Sequence, residues 1–372
     1  MKRYIYQNKN WPNFTWDQTK VNKLLAEVLS AKVVLFGQMA SVGLQTQDNT
    51  NLDNITKDIV KSAEIEGEIL NLQEVRSSIA RKLGLIIADS IPSKRNVDGL
   101  VEMMLDAINN FNSPITDERL FGWHNCLFPT GYSGPYKIEV AKYRTDRLGP
   151  MQVVSGPIGL EKVHYEAIPA KDVPSNMAIL LDYINNNPEN LIIKAAVAHL
   201  WFVSIHPFDD GNGRITRAIT DMLLAKADNG SKRFYSMSAQ IQKEKKAYYA
   251  ALEKAQQGTL DITAWLEWFL SCLKHAFETA SSATKTIVLK YQFLNKIQSE
   301  LNPRQLKMIN MLFEGFKGNL TSSKWAKINK VTQMTANRDI TELLERNILV
   351  KHGDGRNTHY TLPDNIEKGN ND

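Results

Sequence analysis

Apolar positions along the chain fall mostly at helical spacing. The clearest run, LIIKAAVAHLWFVSI at 191–205, is apolar on nearly every side and predicts a helix buried at a domain centre. Pro207 should end it, because proline offers no N–H and its ring clashes one turn back. Before it, Val21, Leu24, Leu25, Val28 and Leu29 form one stripe of a helix over 18–42, capped by Asp17. Ile59, Ile65, Ile69 and Leu70 offer a buried face for a helix through residue 70. Further helices are predicted over 72–89 with Gly84 as a stop, over 97–110, from Thr116 to 127, and over 172–187. Later ones span 212–226, 239–256, 263–275, 277–298, 301–313, 321–328 and 332–346. Strand-like alternation is confined to two hairpins. One joins 151–156 to 162–168, and the other joins 348–352 to 358–362 around Gly353-Asp-Gly355. Residues 128–135 read as loop. The fold class is therefore mainly α.

Composition narrows this little. The 372 residues allow two or three domains, and 43% hydrophobic with 23% charged residues suits a globular protein. Cys126 and Cys272 have no metal-ligand spacing and imply no disulfide framework. The first sixteen residues lack a signal-peptide core, and the most apolar window holds Lys194 and His199. A cytoplasmic location is expected. His199 and His124 read as structural, and Trp265 and Trp268 as core. Charge matters only near the C-terminus. Residues 301–362 carry ten Lys+Arg against five Asp+Glu. Three helices and a hairpin with that excess resemble a winged helix-turn-helix. DNA contact through Thr335, Asn337 and Arg338 is the expectation, with protein docking as the alternative.

The chemistry gathers in HPFDDGNGRITR, 206–217. A helix starting near Asn212 presents free N–H groups and the positive end of its dipole to an anion. Gly211 and Gly213 let backbone close around phosphate. Arg214 and Arg217, three apart, share a face and can grip phosphate oxygens. Asp210 can hold Mg²⁺ against a polyphosphate, and His206 can deprotonate a hydroxyl.

This stretch resembles the signature of the Fic family, H-x-F-x-[D/E]-G-N-G-R-x-x-R, at every fixed position. The resemblance implies an all-α core that transfers AMP from ATP to a Ser, Thr or Tyr hydroxyl of a target protein. His206 would be the base, Phe208 the loop anchor, and Asp210 the Mg²⁺ ligand. Gly211, Asn212, Gly213 and Arg214 would cradle phosphate, and Arg217 would take the γ-phosphate. The Doc-like phosphotransferase branch has lysine where this chain has Gly213, which favours AMP transfer.

Ser62-x-x-x-Glu66-Gly67 resembles the family's inhibitory motif, placed N-terminal to the signature as in its second class. A carboxylate delivered to Arg217 would displace the γ-phosphate and spoil the attack geometry. Relatives of that class also remove AMP, so Glu66 would have a second role in de-AMPylation. The hairpin at about 151–168 corresponds to the family's flap, which pairs with a target strand. Val153, Val154, Ser155, Gly156, Val163, His164 and Tyr165 are its docking residues. Tyr248 and Tyr249 either stack on adenine or pack.

The expected organisation is an N-terminal extension at 1–90 with the inhibitory helix near 57–70, and a catalytic core at 91–280. A linker helix at 281–300, a winged helix at 301–365 and a disordered tail at 366–372 follow. A homodimer is a further expectation. One rival is a DNA-binding regulator whose Fic core senses nucleotide without turnover. Another is kinase-like transfer.

Overall fold

A computed structural model describes residues 4–363, apart from 88, 148, 157–159, 161, 298–299, 314–315 and 317. The hairpin turn Pro157-Ile-Gly159 and the tail 366–372 lie outside the described residues. The chain forms two compact units, Met1–Val34 with Gln45–Ala280, and Leu35–Leu44 with Ser281–Asp372.

The helices in chain order are α1 (Gln18–Ala40), α2 (Leu44–Ile65), α3 (Leu72–Lys82), α4 (Arg95–Asn109), α5 (Asp117–Leu127), α6 (Val173–Asn186), α7 (Leu191–Ile205) and α8 (Asn212–Asp228). They continue with α9 (Met237–Lys243), α10 (Lys245–Gln256), α11 (Thr263–Ile297), α12 (Pro303–Phe313), α13 (Ser322–Asn329) and α14 (Gln333–Glu345). Three two-stranded antiparallel sheets pair β1 (Tyr132–Ser133) with β2 (Tyr136–Lys137), β3 (Gln152–Ser155) with β4 (Lys162–Glu166), and β5 (Val350–His352) with β6 (His359–Thr361).

In the first unit α7 is the centre, as its all-round apolar pattern requires. Every residue from Ile192 to Ile205 is buried, and Asn190 caps the start by accepting from Ile192 N–H at 2.9 Å. The helix stops at Ile205. His206 takes a left-handed conformation, φ 53°, ahead of Pro207. The next turn leads into α8, which packs on α7 and buries Ile215, Ile219, Met222 and Leu223.

The predicted helix through Leu70 ends instead at Ile65. Gly67 adopts φ 84°, Gly67 N–H bonds Glu64 C=O at 3.1 Å, and Glu68 N–H reaches back to Ala63 C=O at 3.0 Å. That glycine-centred stop satisfies the last carbonyls and turns the chain out of the helix. Ile69, predicted buried, is consequently 89% exposed. Other boundaries moved for similar local reasons. The helix from Leu72 closes at Lys82, just before Gly84 at φ 68°. The 239–256 helix is broken at Glu244 into α9 and α10, while 263–275 and 277–298 are one helix, α11. Residues 128–135, predicted as loop, include β1, which pairs with β2 just beyond them.

In the second unit α12, α13 and α14 enclose a core of Met308, Ile309, Trp325, Ala336, Ile340 and Leu343. Leu349 and Leu362 bring the β5–β6 hairpin onto it, and Leu320 bridges to Tyr360. Arg304 pins the buried Asp339 at 2.7 Å. Among the described residues no helix is long and apolar enough to cross a membrane.

Candidate functional site

The site grows from the α7–α8 turn. Phe208 is fully buried and stacks on His124 with ring centroids 4.3 Å apart. Asn212 closes the loop on itself. Its Oδ1 accepts from Phe208 N–H at 2.9 Å and its Nδ2 donates to Phe208 C=O at 2.8 Å. That side chain therefore clamps the loop, leaving only its backbone N–H for a ligand. Gly211 sits at φ 83°, where a Cβ would meet Phe128 Cε2 at 2.9 Å. The first bond of the α8 ladder is Ile215 N–H to Gly211 C=O at 3.0 Å, so the N–H groups of Asn212, Gly213 and Arg214 lie ahead of it.

Two residues outside the motif brace it. Arg144 donates to His206 C=O at 2.7 Å and to Ile168 C=O at 2.5 Å, and its own N–H bonds Pro207 C=O at 2.9 Å. His124 accepts from Ala141 N–H at Nδ1, 3.2 Å, and so donates from Nε2 to Asp210 C=O at 3.1 Å. Burial lowers its pKa to about 4, keeping that neutral tautomer in place.

His206 reaches Val203 C=O through Nδ1 at 3.3 Å, which leaves Nε2 as the free lone pair. Burial, with Arg144 adding, lowers its pKa to about 4 against the opposing pull of the Val203 bond, Glu66 and Asp210. The imidazole is neutral at physiological pH. His199 lies deeper, with Nε2 2.9 Å from Tyr248 Oη and a pKa that burial lowers to about 3.

Asp210 stands at the rim with its side chain 42% exposed. It accepts from Ser133 Oγ and lies 3.7 Å from Arg214 Nη2. A cavity of about 600 Å³ joins Asp210, Arg214, Phe128 and Ser133 to Glu66, Gly67 and Glu68. Mg²⁺ is commonly held by one or two carboxylates plus phosphate oxygens and water. Asp210 fits that role, and among the described residues no cluster of three or more His, Cys, Asp or Glu forms a fuller cage.

Arg217, its side chain 2% exposed, is gripped by α2. Its Nε donates to Ser62 Oγ at 2.8 Å, and Nη2 donates to Ser62 C=O at 3.0 Å and to Glu66 Oε1 at 2.7 Å. Burial alone would lower the guanidinium pKa, but the Glu66 carboxylate reverses this and raises it. Gly213 faces the same contact, since a Cβ there would lie 2.0 Å from Glu66 Oε1. The predicted trio Ser62, Glu66 and Arg217 is thus brought together.

The hairpin forms with register Val153↔Tyr165 and Val154↔Val163, and an irregularity between Val153 and Val154. Val154 is 48% exposed, whereas Tyr165 is buried and donates to Ser204 C=O at 2.8 Å. Tyr165 is therefore the root of the hairpin and not a docking side chain. Ser155 Oγ and His164 Nε2 lie 2.6 Å apart, and His164 Nδ1 is 3.1 Å from Glu253 on α10. Of the two readings left open for it, Tyr248 takes the packed one, buried and bonded to His199. Tyr249 is 41% exposed and donates to Ile65 C=O at 3.3 Å.

Residues 114–224 match the family model described as Fic/DOC family, and residues 4–85 match a domain of unknown function, DUF4172. The chain carries a Fic/DOC domain. Curated relatives named protein adenylyltransferase Fic include one from Drosophila erecta, 28% identical over 142 residues, covering 36% of this chain and 27% of that protein. One from Drosophila sechellia is 30% identical over 114 residues, covering 31% and 22%. The chain thus matches about a quarter of their length. The fold is similar to that of a solved Fic family protein from Desulfovibrio desulfuricans, TM-score 0.57 at 20% identity, covering 95% of this chain and 98% of that one. A Fic domain containing signaling protein from Bacteroides thetaiotaomicron gives a TM-score of 0.50 at 18% identity, covering 72% and 97%. The Fic domain match runs from just ahead of α5 into the last turns of α8.

Sequence reasoning missed Arg144, Ser133 and Glu68. Glu68 alone carried a signal, an acidic residue two positions past Glu66. Arg144 and Ser133 stand in irregular stretches with nothing local to mark them.

Proposed function

We propose that this chain is a protein adenylyltransferase held off by Glu66. The observation that carries the reading is the half-buried Arg217–Glu66 contact at 2.7 Å, beside a motif whose imidazole is neutral. An anion site so built, beside a base, suits a triphosphate whose terminal phosphate takes the place of the carboxylate.

With Glu66 displaced, the α8 N-terminus and Arg214 hold the phosphates, and Arg217 seats the γ-phosphate. His206 Nε2 takes the proton from a Ser, Thr or Tyr hydroxyl as its oxygen attacks the α-phosphorus. The new O–P bond forms as the bond to the bridging oxygen breaks, and pyrophosphate leaves. Asp210 would hold Mg²⁺, which supplies charge neutralisation on the phosphates. An exposed β3 edge offers a target strand main-chain pairing through Val153, Val154, Ser155 and Gly156, with Val163 and His164 supporting it. In the reverse sense, Glu66 could orient water for removal of AMP.

Incubation of Glu66→Gly protein with α-labelled ATP and Mg²⁺ tests this. Protein-bound label, lost on His206→Ala, is expected; label from the γ-position instead would establish kinase-like transfer. Nucleotide bound with no label in any variant would favour the sensor reading.

A separate reading concerns residues 301–362, a winged helix-turn-helix directed at DNA. Its support is α14, which exposes Gln333, Met334, Asn337 and Arg338 beyond a short turn from α13. Retention on duplex DNA that weakens steeply with salt is expected; no retention at low salt excludes it.

A further inference from the structure

The inhibitory segment brings a second carboxylate. Glu68 Oε2 lies 3.0 Å from Arg214 Nη1, and Asn96 Nδ2 donates to Glu68 Oε1 at 3.4 Å. Two glutamates thus occupy the two arginines of the motif. The geometry is a consequence of how α2 ends. Gly67 in the left-handed conformation separates Glu66 from Glu68, so one carboxylate follows the last helical turn and the other leaves it. Both then reach α8, where Arg214 and Arg217 share a face.

The surroundings of Glu68 suit an anion. Arg95 and Asn96, at the start of α4, line the cavity that also holds Glu66, Glu68, Asp210 and Arg214. Among the described residues Arg95 has no ion pair. Arg214 Nε and Arg217 Nη1 are buried and have no hydrogen-bond partner. Two guanidiniums, 8% and 2% exposed, therefore keep donors in reserve while each meets one glutamate oxygen, Arg214 with Asp210 also 3.7 Å away. A buried guanidinium stripped of its counter-charge is strongly disfavoured, so whatever displaces the glutamates must bring charge to Arg217, and at Arg214 it replaces the nearer of two carboxylates, the more distant Asp210 remaining.

We infer that Glu68 occupies a second phosphate subsite, formed by Arg214, Asn96 and Arg95, and stands in for a phosphate of the nucleotide as Glu66 does at Arg217. The inference rests on the nucleotide reading above. It implies that Glu66→Gly frees only half of the polyphosphate site, with Glu68 still competing at Arg214.

Equilibrium binding by calorimetry, which needs no turnover, tests it. In the Glu66→Gly background, Glu68→Gln should tighten ATP binding roughly tenfold and leave AMP within about twofold. Asn96→Asp should shift ATP the other way, because it adds negative charge beside the seat. Arg95→Ala added to the double variant should weaken ATP several-fold and spare AMP. Identical ATP affinities for Glu66→Gly, its Glu68→Gln derivative and its Asn96→Asp derivative would overturn the inference while leaving AMP transfer standing. The expected affinity pattern without any protein labelling would overturn transfer and leave the subsite standing.

Discussion

The loop carrying His206 and the segment carrying Glu66 meet at Arg217, yet they are held in opposite ways. The loop is fixed from every side. Asn212 bonds both polar atoms of Phe208, Arg144 ties the His206 and Pro207 carbonyls, and His124 supports Asp210. The segment leaves its helix at Ile65 and is tied by side-chain contacts from Glu66 and Glu68, each with about a third of its side chain exposed. Fixed parts suit preorganised chemistry, because charge can be stabilised without rearranging donors. A removable part suits control, since a few partly solvated ion pairs can be exchanged for phosphate at modest cost. On the proposed reading, the difference teaches that this site separates what must stay from what must move.

Acid should break the comparison most strongly. His124, His199 and His206 have native pKa values lowered to about 4, 3 and 4. An unfolded histidine titrates near 6.5, so the unfolded chain binds more protons between those values. Their contribution is present above pH ~6.5 and lost as pH falls toward 4, by about 2 kcal/mol per histidine at pH 5. Thermal midpoints measured from pH 7.5 to 5 should fall steeply, and a flat profile would show these imidazoles are not held neutral.

Phe208→Ala attacks the anchor next. Removing a fully buried ring should cost about 3–5 kcal/mol in denaturant unfolding. Asn212→Ala leaves Phe208 N–H and C=O without their side-chain partner and should cost about 2–4 kcal/mol. Both changes should also lose labelling in the Glu66→Gly background. The mildest perturbation falls on the removable side. Ser62→Ala deletes the Arg217 Nε bond, worth about 1 kcal/mol, and should raise labelling by about fivefold with little change in melting. If Ser62→Ala destabilised the fold as much as Asn212→Ala, the division between fixed and movable parts would fail.

Much of this arrangement could be read from the chain. The periodicity of 191–205 announced a buried helix, and Pro207 its end. The spacing within 206–217 announced a histidine at the helix end, a rim carboxylate and two arginines on one face. Ser62 and Glu66 were legible through a resemblance and not through their pattern, which alone describes a solvated helix face. Tyr165 and Tyr248 could not be placed from the sequence, for a common reason. Aromatic residues signal burial and binding alike, and only their contacts with Ser204 and His199 separate the two.

The sequence by itself determined the elements and the local order of the motif, because helix spacing, proline and glycine act over a few residues. Gly67 stops α2 wherever that helix lies. Tertiary structure alone decided which distant charges meet: Glu66 with Arg217, Glu68 with Arg214, and Arg144 with the carbonyl of His206. Those pairs are separated by 151, 146 and 62 residues along the chain. No local rule selects one arginine over another at such range. The packing of α2 and α8 does, by excluding water from the guanidiniums and leaving each carboxylate one place where its charge is answered.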